Sequence, residues 1–152
     1  MPAPLHQGQV AGTRWDPGLY GKFGDERLRP ALELLARVPL SAPEVVYDLG
    51  CGTGEVTNLI AGRWPEATVY GLDNSAQMLE KARSLPGRVQ WIEADIEGWE
   101  PEAAPDLIRS NALLHWLAGH HELLPWLAGL RRRVARMPPP GGRSAPTIGV
   151  ST

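Results

Sequence analysis

Gly50, Gly52 and Gly54 stand two residues apart, between the apolar run Val45 to Leu49 and the helix-like segment Glu55 to Trp64. A strand, a glycine turn and a helix start in that order suit a nucleotide-like ligand. The strand is a fixed platform, and the helix start offers free N–H groups. Glycine reaches backbone angles that other residues avoid, and it has no side chain to collide with a ligand. Four further positions add chemistry. Asp48 precedes the glycines, and Asp73 ends the next predicted strand, 19 residues after Gly54. A carboxylate there can accept hydrogen bonds from both hydroxyls of a ribose. Asp95 ends a third predicted strand and Asn111 a fourth. A glycine cluster alone is equally a structural turn. Polar side chains at the carboxyl ends of four neighbouring strands turn it into a ligand site, because open α/β sheets bind ligands there.

The elements that must position these residues follow from periodicity. A helix is expected over about Gly24 to Val38, with Leu28, Leu32, Leu35 and Ala36 as one apolar stripe and Pro39 closing it. Strands are expected at Val45–Leu49, Ala67–Leu72, Arg88–Ala94 and Asp106–Ser110. Helices are expected at Glu55–Trp64, from Asn74 or Ser75 to about Leu85, and from His120 to about Leu130 with Pro125 near its first turn. Alternating strands and helices predict an α/β fold with a parallel sheet and right-handed crossovers. Val134 to Met137 has at most the pattern of a ragged fifth strand.

The 152 residues predict one domain, with three regions. Residues 1–14 are rich in Pro, Gly and Gln and are expected to be disordered; residues 15–130 carry the domain; residues 131–152 form a basic, Pro- and Gly-rich tail, also expected to be disordered. Residues 1–130 hold ten basic against seventeen acidic side chains, net −7, and the tail holds five arginines and no acid, which together give −2. An acidic body argues against nucleic acid as the main partner. No apolar run is long enough to span a membrane, and the first residues do not read as a signal peptide. A single cysteine, Cys51, is consistent with a reducing compartment, so a cytoplasmic protein is expected.

Asp48-Leu49-Gly50-Cys51-Gly52-Thr53-Gly54 resembles the first motif of the class I methyltransferases that use S-adenosylmethionine. The chain is similar in particular to the trans-aconitate 2-methyltransferase group. Trp15-Asp16-Pro17, Glu26-Arg27, Arg63-Trp64-Pro65, Gly71-Leu72-Asp73, Ala76-Gln77-Met78-Leu79, Ala94-Asp95-Ile96 and Ser110 to Trp116 match it in order, over roughly Thr13 to Leu130. The resemblance implies a Rossmann-like sheet of order 3-2-1-4 and S-adenosyl-L-methionine as cofactor. It implies that the glycine turn packs against the methionine part and that Asp48 helps hold the ammonium group. Asp73 would take the ribose hydroxyls, Asp95 and Ile96 would frame the adenine, and Asn111 would lie beside the methionine. Tyr20 and Phe23 could close over the site or simply pack in the core. A small polycarboxylic acid such as trans-aconitate would be the substrate. Arginine suits carboxylates best, so Arg27 and Arg29 are candidates to hold it, against a plain solvated helix face. His115 and Trp116 either edge the substrate pocket or pack a helix start. His120, His121 and Glu122 are too close in sequence to share a metal on one helix face, so no metal site is expected.

The chain departs from that pattern twice. Arg109 sits in the middle of the fourth strand, where the group has an aromatic or apolar residue. A buried arginine there must reach a carboxylate or solvent. After about Leu130 the resemblance stops, which reads as a truncated product. The fourth strand would then be an open edge, available for self-association. Three readings therefore stand side by side: a methyltransferase esterifying a small carboxylic acid, an inactive remnant that binds the cofactor weakly or acts through its open edge, and a nicotinamide-dependent oxidoreductase. The G-x-G-x-G spacing with Asp48 before it speaks against the last.

Overall fold

The computed structural model of the chain describes residues 26–111, 120–137 and 147–151. The expectations for residues 1–14, Tyr20, Phe23, His115 and Trp116 lie outside the described residues. The chain divides into two units, Met1–Ser41 and Ala42–Thr152.

In the first unit a 3-10 turn, Glu26–Leu28, leads into helix α1, Arg29–Arg37. Pro30 falls in its first turn, where a missing N–H is harmless. Ala31, Leu32 and Leu35 are buried, whereas Ala36 is exposed. The expected stripe thus turns by one position. At 100° per residue Ala36 and Ala31 flank the line through Leu32 and Leu35 about equally, on opposite sides, and it is the Ala31 side that is buried.

The second unit is a five-stranded parallel sheet. Its strands are β1 (Val45–Leu49), β2 (Thr68–Asp73), β3 (Gln90–Glu93), β4 (Leu107–Asn111) and β5 (Thr147–Ser151), in the order β3-β2-β1-β4-β5. Helices α2 (Glu55–Arg63), α3 (Ala76–Arg83) and α4 (His120–Ala135) connect them. The predicted 3-2-1-4 order holds, but β4 is not an edge. β5 pairs with it along its whole length, from Leu107↔Thr147 to Asn111↔Ser151. The tail expected to be disordered therefore contains a strand, and its backbone satisfies the N–H and C=O groups that an open β4 would expose. The same tail region begins as helix. α4 runs five residues past Leu130, and Val134 is helical rather than part of a strand. Leu130 and Val134 are four apart, so both bury on the same side of the helix. Pro125 is the sixth residue of α4, just past the first turn and near it as expected.

Side chains alternate across the sheet, as the pleat requires. On one face Tyr47, Leu49, Leu72 and Ile108 form a buried cluster with Trp99, Leu130 and Val134. Tyr47 stacks on Tyr70 with ring centroids 4.8 Å apart, and meets Trp99 edge-on at 4.9 Å. The Tyr47 hydroxyl donates to the Ala103 carbonyl (3.2 Å) and accepts from the Ala103 N–H (3.3 Å). Burial pushes the Tyr47 phenol above its ordinary value. On the other face lie Val46, Asp48, Val69 and Arg109, with Thr57 of α2 donating to Asp48. At the opposite end of the strands, Asp106 Oδ2 accepts from the N–H groups of Glu44 (2.7 Å) and Val45 (3.0 Å), which fixes the entry of β1 beside β4. No helix among the described residues is long and apolar enough to cross a membrane.

Candidate functional site

The turn after β1 is held by backbone bonds at both ends. Cys51 N–H donates to Leu72 O of β2 (2.9 Å), and Gly54 N–H donates to Cys51 O (3.0 Å). Gly50, Gly52 and Gly54 all have positive φ, at 69°, 56° and 82°. Each is a conformation that a side chain would strain. The three glycines do different things beyond that. A Cβ added to Gly54 would lie 2.4 Å from the Trp91 ring and 2.9 Å from Ala82 Cβ. Gly54 is thus where α2, α3 and β3 close on one another. A Cβ added to Gly52 meets nothing within 4 Å. Gly52 is the open side of the turn, where a ligand can lie against bare backbone.

Asp73, the last residue of β2, braces that open side. Its Oδ2 accepts the Gly52 N–H and its Oδ1 the Ser75 N–H, both at 2.9 Å. Ser75 in turn caps α3, its Oγ accepting from Met78 N–H (3.3 Å). Each carboxylate oxygen has a second lone pair, so Asp73 can still receive two donors from a ligand. Asp73→Asn removes the charge and one acceptor oxygen. It is expected to lower stability by about 1–3 kcal/mol, as for a hydrogen bond to a charged group. Urea denaturation measures the loss, and faster amide exchange at Gly52 would place it at the turn.

Asp95 lies two residues beyond the end of β3, exposed, with its Oδ1 accepting the Glu97 N–H (3.0 Å). The Ala94 N–H donates to Asp73 O (3.1 Å), so the tips of β2 and β3 stand side by side. Ile96 is half-buried against the core cluster, and its carbonyl accepts from Trp126 Nε1 (3.1 Å). Asn111 is the last residue of β4, beside Ser151 of β5. Among the described residues no cation pairs with Asp73 or Asp95. The strand tips therefore form an acceptor-rich rim, suited to hydroxyls and amines.

Asp48 lies elsewhere. It is 1% exposed, beneath the turn, with both oxygens occupied: Oδ1 by Arg109 Nη1 (2.8 Å) and Oδ2 by Thr57 Oγ1 (2.7 Å). The arginine that looked misplaced in β4 has thus found its carboxylate in the adjacent strand. Ser110, beside it, donates from Oγ to Leu49 O (3.1 Å). Sequence reasoning singled out neither Thr57 nor Ser110 for these bonds. A hydroxyl nine residues past an aspartate was the available sign for Thr57. Of the candidate arginines, Arg29 is exposed and paired with Glu33 (3.0 Å), and Arg27 lies in the 3-10 turn of the first unit, with its side chain outside those described.

Cys51 fills the slot under the turn, its Sγ 3.2 Å from where a Cβ on Gly71 would stand. Burial, then the Asp48 and Asp73 charges, push its thiol up to about 12. The folded form therefore favours the neutral thiol. That stabilisation is complete below the unfolded thiol's value of roughly 8.5 and is lost as pH rises towards about 12. Tyr47 acts in the same direction above pH 10. Stability is expected to fall through this alkaline window, and in Cys51→Ala to fall less steeply, as read from urea midpoints at pH 8 and pH 10.

The methyltransferase domain profile matches residues 46–142, which include β1 to β4, the turn and α4. The chain belongs to the methyltransferase-domain family. Among curated members, it is 58% identical to the trans-aconitate 2-methyltransferase of Methylobacterium radiotolerans over 116 residues, 76% of this chain and 45% of that protein. The chain thus spans about half the length of the curated relatives it matches. Among solved structures, the plantazolicin methyltransferase BpumL in complex with S-adenosylhomocysteine is 27% identical, with a TM-score of 0.51 over 58% of this chain and 35% of that one. The amino pentose methyltransferase CalS10 from Micromonospora echinaspora, bound to S-adenosylmethionine, is 24% identical with a TM-score of 0.60 over 76% of this chain and 50% of that one, and shares the fold. The sheet is that of a class I methyltransferase, with β1 at its centre and the glycine turn at its carboxyl end.

Proposed function

We propose that the chain binds S-adenosyl-L-methionine at the turn between β1 and α2 and takes part in methyl transfer to a carboxylate of a small polycarboxylic acid, trans-aconitate in the first instance. One observation carries the cofactor reading: bare backbone at Gly52, open on its Cβ side, is braced by a carboxylate with spare acceptor capacity. Asp73 would accept the ribose hydroxyls, Asp95 and Ile96 would frame the adenine, and Gly50 and Gly52 would face the methionine part, with Asn111 beside it. The cofactor supplies an electrophilic methyl group on a sulfonium when bound. A substrate carboxylate is already ionised at neutral pH, so the chain need supply no base to create the nucleophile. Its residues contribute position and exclusion of water. The substrate rests on the high identity to trans-aconitate 2-methyltransferase.

The test has two stages. S-adenosylhomocysteine at one hundred times its dissociation constant is expected to add about 2.7 kcal/mol of stability, seen as a higher melting midpoint, with no rise for NAD. A rise with NAD alone would sink the cofactor reading. Radiolabelled methyl transfer to trans-aconitate is then measured against succinate. Cofactor binding without transfer to either acid would leave the chain a cofactor-holding unit and refute the catalytic half.

A further inference from the structure

In the turn that follows β3, one peptide unit is held from both sides. The Ile96–Glu97 peptide donates its N–H to Asp95 Oδ1 (3.0 Å). Its carbonyl receives two donors, the Trp99 N–H (3.3 Å) and the Trp126 indole Nε1–H (3.1 Å). Both lone pairs of that oxygen are thus taken. The Trp99 bond is local to the turn. Trp126 belongs to α4, 30 residues further along the chain, and reaches the turn from another element. That helix is itself anchored, because Leu130 and Val134 are buried in the core cluster against which Ile96 and Trp126 both pack. The consequence falls on Asp95. Its side chain is exposed, and a carboxylate so placed would otherwise sample several rotamers. Here its Oδ1 is tied to a peptide that cannot turn without breaking the bonds at its carbonyl. Donors at that carbonyl also polarise the peptide and strengthen its N–H as a donor. Oδ2 has no hydrogen-bond partner among the described residues and remains as an acceptor.

We infer that Trp126 is a positioning residue for the ligand's base: its indole N–H locks the Ile96–Glu97 peptide, and through that peptide it holds the Asp95 carboxylate where it accepts from the exocyclic amine of adenine. The inference rests on the cofactor reading above. It concerns the contribution of one distant side chain to reading one substituent of the base, so the two can fail separately. Trp126 acts through Asp95 and not by touching the ligand. The helix that follows β4 thereby sets the selectivity of a turn that follows β3.

Calorimetry of the full chain at pH 8 with S-adenosylhomocysteine and with S-inosylhomocysteine, in which an oxo group replaces the amine of the base, tests this. Wild type is expected to prefer the amino base by about tenfold, or about 1.4 kcal/mol. Trp126→Phe keeps an aromatic ring but has no N–H, and is expected to cut that preference about fivefold, as for loss of one hydrogen bond. Trp126→His loses the larger ring but keeps a donor, since its Nε2 stands where the indole Nε1 does, and its imidazole is neutral at this pH. It is expected to retain the wild-type preference, which separates the hydrogen bond from packing. A structural role alone would weaken both ligands equally and leave the ratio unchanged in Trp126→Phe, which overturns the inference while leaving cofactor binding in place. A preference lost in Trp126→His overturns it too, as does a wild type that does not distinguish the two bases. Binding of neither ligand overturns the cofactor reading and the inference with it. A melting curve on each variant confirms that the species titrated is folded, and if Trp126→Phe does not fold, Trp126→His decides.

Discussion

Arg109→Leu is expected to lower the free energy of unfolding by about 3–5 kcal/mol, the loss typical of removing one partner of a buried ion pair. The residue left behind decides the size. Asp48 is buried, and without Arg109 its only side-chain hydrogen-bond partner among the described residues is the Thr57 hydroxyl. An anion so placed keeps most of its desolvation penalty and loses the attraction that offset it. The double replacement Asp48→Asn with Arg109→Leu removes both charges and retains an acceptor for Thr57. It is expected to be close to wild type or slightly more stable, because exchanging a buried pair for neutral groups is often neutral or favourable. Arg109 also has two buried donors without a partner among the described residues, whose loss favours the double variant further. Urea denaturation followed by tryptophan fluorescence gives both values. A single variant as stable as wild type would mean that Asp48 reaches water, contrary to the sealed geometry.

Gly54→Ala is expected to be as damaging, while Gly52→Ala, two residues away, should be mild for folding and severe for ligand. At Gly54 two effects combine. The backbone has φ of 82°, which costs an L residue about 1–2 kcal/mol. The new methyl must also displace the Trp91 ring at 2.4 Å and Ala82 at 2.9 Å, an overpacking of about 1–3 kcal/mol. Trp91 is pinned between Gly54 and Gly71, where a Cβ would likewise come within 2.6 Å of its ring, so it has little room to withdraw. A total of about 2–5 kcal/mol is expected. At Gly52 only the first effect applies, at φ of 56°, because the space beside it is open. The loss should stay near 1–2 kcal/mol. The melting shift produced by S-adenosylhomocysteine, however, should disappear, since the methyl occupies the surface that the ligand needs. Equal losses of stability at the two glycines would contradict the difference in their surroundings. A ligand shift surviving in Gly52→Ala would place the cofactor elsewhere.

Much of this was legible in the residues themselves. Val45 to Leu49, the three glycines and the helix after them follow from local pattern, because apolar runs and backbone angles are properties of neighbouring residues. So does the placing of Asp73 at a strand tip, since a strand ends where its apolar run meets turn residues. The errors have a common origin. Helical spacing flanks Leu32 and Leu35 with Ala31 and Ala36 alike, and only packing decides that Ala31 is buried and Ala36 exposed. The tail was read as disordered from composition, but composition says nothing about a short strand that exists because β4 offers it a partner. Arg109 looked like a liability for the same reason: its carboxylate is 61 residues away.

The sequence by itself determined the strands β1 to β4, where the chain must bend backwards through glycine, and the placing of Asp73 and Asp95 at or just beyond strand tips. Only the tertiary structure decided that Asp48 is sealed with Arg109 while Asp73 remains available, that Gly54 is packed while Gly52 is open, and that β5 closes the side of β4. The reason is physical. Backbone preference and hydrophobic period act over a few residues, whereas charge cancellation, steric room and strand pairing depend on register between segments that meet only when the sheet forms.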